Sequence, residues 1–154
     1  MPLHGSCAAL GGDAVLFLGP PGAGKSDLVL RLMGRGWMLV ADDQVELEPV
    51  EPDSLIATPP AALRGLLEVR GLGLVRDLPV AAPARLRLVV DLLPPGESPP
   101  RLPEPACFQA HGRTLPRLAL AAREAAAPDK VILALAAACG RARLLAGAIP
   151  GSAA

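Results

Sequence analysis

Apolar residues in this chain fall into short runs separated by glycine and proline. Residues 6–10 and 14–18 are two such runs on either side of Gly11-Gly12-Asp13, a spacing that predicts a hairpin. The second run, Ala14-Val15-Leu16-Phe17-Leu18, reads as a buried strand, and helical spacing follows over residues 27–35. His4, at the start of the first strand, is then expected close to the end of the second. Gly34-Arg35-Gly36 stops the helix, and residues 37–41 form the next buried strand, ending in Asp42-Asp43. Residues 44–48 alternate as a half-exposed strand would, whereas four prolines over residues 49–60 predict a loop. Strands are expected at 66–70 and 85–93, with the glycine-punctuated segment 71–75 between them. Six prolines over residues 94–105 forbid both helix and central strand. An Ala- and Leu-rich stretch at 130–146 predicts a terminal helix. A single domain over residues 1–149 with a frayed tail at 150–154 is the expected organisation.

Between the second run and the first helix lie Gly19-Pro20-Pro21-Gly22-Ala23-Gly24-Lys25-Ser26, which fit the pattern G-x-x-x-x-G-K-[ST]. Strand, glycine loop and helix is the order this pattern requires. Small residues let backbone N–H groups turn inward around a phosphate chain, and the helix adds the positive end of its dipole. Lys25 is placed to reach the outer phosphates and the Ser26 hydroxyl to hold Mg²⁺. A nucleotide is the expected ligand.

Composition narrows the partners. Fifteen Lys and Arg balance fifteen Asp and Glu, so no net field draws the chain to nucleic acid or an anionic membrane. Aromatics are only 2% of residues against 51% hydrophobic overall, which argues against base stacking on single strands. Cys7, Cys107 and Cys139 lack metal or redox spacing and read as thiols in a reducing cytosol. Arg141 and Arg143 interrupt the apolar stretch at 131–149, and the N-terminus has no signal-like core, so a cytoplasmic location is expected.

Phosphoryl transfer requires a metal clamp, a group that orients or deprotonates the attacking hydroxyl, and positive charge for the transition state. Asp42 and Asp43 are adjacent at a strand end, so their side chains diverge. One is expected to accept a proton while the other supports the metal or His4. Glu68 and Arg70, two apart on an expected strand, share a face. Glu68 is then a candidate metal ligand and Arg70 a clamp for a phosphate or an acceptor carboxylate.

Taken in order, Leu3-His4-Gly5, the loop from Gly19 to Ser26, Leu39-Val40-Ala41-Asp42-Asp43 and Leu67-Glu68-Val69-Arg70-Gly71-Leu72-Gly73 resemble the catalytic domain of the HPr kinase/phosphorylases. The last block is similar to that family's signature E-[IV]-R-G-L-G. The resemblance covers residues 3–77. It implies an α/β fold related to phosphoenolpyruvate carboxykinase, with helices flanking a sheet. It also implies transfer of phosphate from ATP, with Mg²⁺, to a serine of an HPr-like phosphocarrier of the phosphotransferase system, a reaction the family also reverses. By the same resemblance Lys25 binds phosphate, Ser26 and Glu68 hold the metal, and His4 belongs to the active-site group. Asp43 is the proton acceptor, with Asp42 a competitor for that role. Arg101-Leu102 resembles the family's catalytic Arg-Leu at a shorter interval.

Three departures modify these expectations. The chain resembles the short form that lacks the family's N-terminal domain. Where the family carries a Pro-, Lys-, Gly- and Arg-rich loop for phosphorolysis, residues 121–126 read Ala-Ala-Arg-Glu-Ala-Ala, so forward transfer is expected to dominate. The resemblance implies a homo-oligomer, a hexamer in the family, and the shortened C-terminal region bears both on that assembly and on the helix that binds the carrier. A nucleotide-binding sensor that transfers no phosphate is the alternative reading.

Overall fold

The computed structural model describes residues 2–150. Eleven strands and two α-helices are arranged as β1 (Leu3–His4), β2 (Ser6–Leu10), β3 (Asp13–Leu18), α1 (Lys25–Met33), β4 (Met38–Ala41), β5 (Gln44–Val50), β6 (Ser54–Thr58), β7 (Leu67–Val69), β8 (Gly73–Val75), β9 (Ala84–Leu92), β10 (Ala106–Ala110), β11 (Arg113–Leu120) and α2 (Ala127–Ala138). This is a mixed α/β fold with few helices. Nine strands share one sheet in the order β1-β5-β6-β9-β3-β2-β4, with β11 also on β9 and β10 beyond it, while β7 and β8 form a separate hairpin. Because β1 leads into β2 and β4 leads into β5, the two ends of that order are joined by chain and the sheet curls.

Strand β9 organises the rest. One of its edges pairs in parallel with β3, from Asp13↔Arg85 to Leu18↔Asp91. The other edge is shared, antiparallel to β6 at Ile56↔Arg85 and parallel to β11 from Arg117↔Val89 to Leu120↔Leu92. The register shifts between Ala14↔Leu86 and Val15↔Leu88, leaving Arg87 as an extra residue. Such a bulge resets the alternation of faces. Leu86 accordingly packs with Ala14 and Leu16 on one side, while Leu88 and Val90 pack with Val15 and Phe17 on the other.

That second face receives both helices, through Leu28, Val29 and Leu32 of α1 and Val131 and Leu135 of α2. Each such side chain is fully buried or nearly so, which contributes about 1.5–3 kcal/mol apiece. The opposite core, around Leu16, Val40, Val45, Leu55 and Val89, lies inside the curl and is bordered by Phe108 and Leu115.

The expected hairpin is present, with Ser6↔Phe17 to Leu10↔Asp13 in register and Gly11 and Gly12 both at positive φ in its turn. The first helix and the strands at 37–41, 66–70 and 85–93 appear within two residues of their expected bounds, and the proline-rich segment 94–105 forms no regular element. Two expectations are corrected. The loop expected over 49–60 is largely strand: β5 runs to Val50 and pairs with β6 through Pro49↔Leu55 and Val50↔Ser54. Proline is tolerated there because β1 covers β5 only at Gln44 and Val45, which leaves the far edge open beside Pro49. The terminal helix begins and ends earlier than 130–146. Pro128 sits in its first turn, where its missing N–H is harmless, and Gly140 at φ 79 follows its last residues. Residue 150 closes the described chain and the expected frayed tail otherwise falls outside the described residues, although Ala148 and Ile149 return to the core.

Candidate functional site

Strands β3, β9 and β11 run parallel, and β4, antiparallel to β2, runs the same way as β3. Four carboxyl ends therefore face one side of the sheet, where ligands of open α/β sheets bind. From these ends leave the glycine loop, the Asp42-Asp43 pair, the proline-rich segment and residues 121–126. Gly19 lies where β3 meets β9: a Cβ added there would stand 2.6 Å from the Leu92 carbonyl oxygen. Gly24, at φ 98, caps α1, and a Cβ added to it would stand 3.1 Å from that of Ala122. The motif's glycines are thus required by close approach as well as by conformation.

A cleft of about 1070 Å³ opens over this edge. The glycine-loop residues Gly19, Pro21, Gly22, Gly24, Lys25 and Ser26 line it, as do His4, Asp42, Asp43, Glu68 and Arg70. Pro20 and Ala23 complete the loop without lining the cleft and are joined by a bond from the Ala23 N–H to the Pro20 carbonyl at 3.1 Å. Lys25 Nζ donates to the carbonyls of Gly19 at 2.7 Å and Pro20 at 3.2 Å, so the lysine folds back across the loop.

The two aspartates, of which the resemblance favours Asp43 as the proton acceptor with Asp42 a competitor, differ here in their surroundings. The antiparallel ladder formed by β1–β2 against β4–β5 breaks between His4↔Gln44 and Cys7↔Ala41. Asp43 is the hinge of this break, at φ 69, and its carbonyl accepts from Gly5 N–H at 3.1 Å. Asp42 is buried, and its Oδ1 accepts from Ser6 Oγ at 2.6 Å and from Ser26 Oγ at 2.7 Å. The N–H of Glu68 points at the other oxygen of Asp42 from 3.5 Å. Asp43, one residue on, is exposed and faces the cleft.

Glu68 lies on β7, but Arg70 falls in the turn to β8, so the shared strand face expected for them is not how they meet. Both still reach the cleft, carried by the short hairpin. Arg101 does not: it is exposed on the proline-rich segment and does not line the cleft. Ser6 and Arg123 are among the lining residues that no sequence motif marks. Ser6, whose hydroxyl anchors Asp42, carries no motif of its own. Arg123 belongs to a segment noted only for the residues it lacks, and the parallel pairing of β11 with β9 is what delivers it to this edge.

The oxygen donors gathered here, the Ser26 hydroxyl and the Asp42 and Glu68 carboxylates, are the hard ligands that Mg²⁺ takes. No group of three or more His, Cys, Asp or Glu able to hold a metal occurs among the described residues. Mg²⁺ needs no such cage, because it is bound through one or two carboxylates together with substrate phosphates. The donor set fits.

A model of the HPr serine kinase C-terminal domain matches residues 1–92. The chain belongs to this family. The solved structure of the Hpr(Ser) kinase/phosphatase from Coxiella burnetii aligns with a TM-score of 0.72 at 25% sequence identity, covering 85% of this chain and 91% of that one. Membership in the HPr kinase family makes the chain an enzyme of the phosphotransfer type, and the α/β catalytic-domain fold expected from the sequence is the one observed. The family match contains the glycine loop, both aspartates and the β7–β8 hairpin, whereas Arg101 and Arg123 lie beyond it. No helix among the described residues is long and apolar enough to cross a membrane.

Proposed function

We propose that the protein transfers the γ-phosphoryl group of ATP to a serine of an HPr-like phosphocarrier protein. The observation that carries the reading is the division of labour between the two aspartates. Asp42 is buried and committed to the Ser26 hydroxyl, so it supports the metal end of the site. Asp43 is exposed, faces the cleft and has no side-chain hydrogen bond or ion pair among the described residues, which leaves its carboxylate to accept the proton of the attacking hydroxyl.

Each remaining group then has a task. The glycine-loop N–H groups and Lys25 bind the phosphate chain. Ser26 and Glu68, with Asp42 behind Ser26, would hold Mg²⁺, which supplies charge neutralisation at the outer phosphates when bound. Arg70 and Arg123, facing the cleft from opposite loops, neutralise charge that spreads onto the transferring oxygens. His4, in register with Gln44 beside Asp43, orients the acceptor side of the cleft. Arg101 serves in this scheme only if the proline-rich segment closes over bound substrate. Among residues 121–126 only Arg123 is cationic, which favours forward transfer over phosphorolysis.

Incubation of the purified protein with ATP, Mg²⁺ and an HPr-like carrier tests the reading. Phosphoserine on the carrier is the expected product; ATP binding without any phosphoserine leaves a nucleotide-binding protein and removes the kinase.

A further inference from the structure

Arg31 stands on α1, more than a turn beyond the lysine and serine of the glycine-loop motif, and its side chain is about three-quarters buried. Its guanidinium leaves the helix and reaches residues 121–126. One terminal nitrogen donates to the Ala122 carbonyl and the other to the Glu124 carbonyl at 3.2 Å, while Nε lies 3.1 Å from Asp27 Oδ2. The two carbonyls it binds are those on either side of Arg123.

The segment that Arg31 grips has no sheet partner among the described residues. Its own backbone supplies a turn from Glu124 N–H to the Ala121 carbonyl at 3.2 Å and a bond from Ala127 N–H to the Glu124 carbonyl at 3.0 Å. Glu124 is further tied to Lys130 of α2 by an ion pair. Nothing in that set fastens the segment to the glycine loop except the contact of Ala122 with Gly24 and the Arg31 fork. Docking of α1 against α2 has a separate tie, Arg35 Nε to Asp129 Oδ1 at 3.5 Å. A planar guanidinium holds two carbonyls at a fixed spacing through its rigid fork, whereas an ammonium is a point donor on a flexible stem and does not fix their geometry.

We propose that Arg31 is a positioning residue: by binding the carbonyls that flank Arg123, it holds the segment after β11 against the glycine loop and keeps the Arg123 guanidinium at the phosphate end of the cleft. The helix that presents Lys25 and Ser26 and the loop that presents Arg123 then move as one body. This inference rests on reading the cleft as a phosphate-transfer site.

The test is a double-mutant cycle with Mg²⁺-pyrophosphate binding, measured by calorimetry on the wild type, Arg31→Met, Arg123→Ala and the double variant. Loss of a charged contact to phosphate is expected to weaken binding about tenfold in each single variant. If Arg31 acts through Arg123, the double variant is within about twofold of the weaker single one. Amide hydrogen exchange should accelerate at residues 122–126 in Arg31→Met while that of α1 stays unchanged, a local signature that a general loss of stability does not produce. Arg31→Lys, which keeps the charge but not the rigid fork, is expected to be intermediate, and it carries the cycle if the Met variant does not fold.

Additive losses in the double variant overturn the proposal, as does an Arg31 variant that binds pyrophosphate as the wild type does while Arg123→Ala is weakened. A wild-type protein that binds neither pyrophosphate nor ATP removes the phosphate-site reading itself, and the inference with it.

Discussion

Replacing each member of the aspartate pair in turn separates a structural from a chemical loss. The Asp42 carboxylate accepts two hydrogen bonds, from Ser6 Oγ at 2.6 Å and Ser26 Oγ at 2.7 Å, and only 8% of the residue is exposed. A buried hydrogen bond to a charged group contributes about 1.5–3 kcal/mol, and Asp42→Ala also strands the Ser6 hydroxyl. Taking the low end for each bond gives about 3 kcal/mol, or a fall of about 6–12 °C in Tm for a chain of this size. Asp43 has no such bonds. Asparagine tolerates its left-handed φ of 69 as well as aspartate does, so Asp43→Asn should change stability by less than about 0.5 kcal/mol. Loss of a general base, in contrast, lowers the transfer rate by about 10²–10⁴-fold.

Thermal unfolding followed by circular dichroism measures the first quantity, and transfer of labelled phosphate from ATP to the carrier's serine measures the second. The expected result is a stable, ATP-binding, inactive Asp43→Asn protein beside a destabilised Asp42→Ala protein. Two outcomes refute the reasoning. One is Asp43→Asn retaining more than about a tenth of wild-type transfer, since a positioned base contributes far more than that. The other is Asp42→Ala melting with the wild type, which would mean that its two short hydroxyl bonds hold nothing in place.

Gly19→Ala drives a methyl group to 2.6 Å from the Leu92 carbonyl, so it should destabilise by about 1–3 kcal/mol and abolish ATP binding; an unchanged urea midpoint would contradict the close approach of β3 and β9. Chelation by EDTA should stop phosphotransfer and added Mg²⁺ restore it, with Ser26→Ala raising the Mg²⁺ needed for half-activity by about tenfold; turnover that survives chelation would remove the metal from the scheme. Burial pushes the Cys7 thiol well above the ordinary range, so at pH 8 it stays protonated and enclosed, whereas Cys107 is exposed. Ellman's reagent should therefore react with Cys107 in the native protein and with Cys7 only after unfolding, and rapid native labelling of Cys7 would show the sheet to be open there.

What could be read from the chain alone is what depends on neighbours in sequence. The glycine loop is set by residues within eight positions of one another, and the hairpin of β2 and β3 by two apolar runs around a pair of glycines, so local conformational preference was sufficient. The aspartates and the Glu68–Arg70 block were legible as chemistry because they follow the glycine loop in the order and residue types of the family pattern they resemble. The choice between the two aspartates was not. Whether a carboxylate is buried against Ser26 or turned into the cleft is decided by where the ladder of β1–β2 on β4–β5 breaks, and that pairing joins residues 29 to 42 positions apart.

The same physics accounts for the other surprises. Pro49 breaks a strand pattern when read locally, yet it is harmless on an edge that only the assembled sheet leaves open. Arg101 sits in the right stretch of sequence but away from the cleft, while Arg123 reaches it because β11 lies parallel to β9 and Arg31 holds the following turn. Local sequence determined the glycine loop and the charged residues near it; tertiary pairing decided which of those residues face the same cleft, because side-chain direction at a strand end depends on register with distant strands.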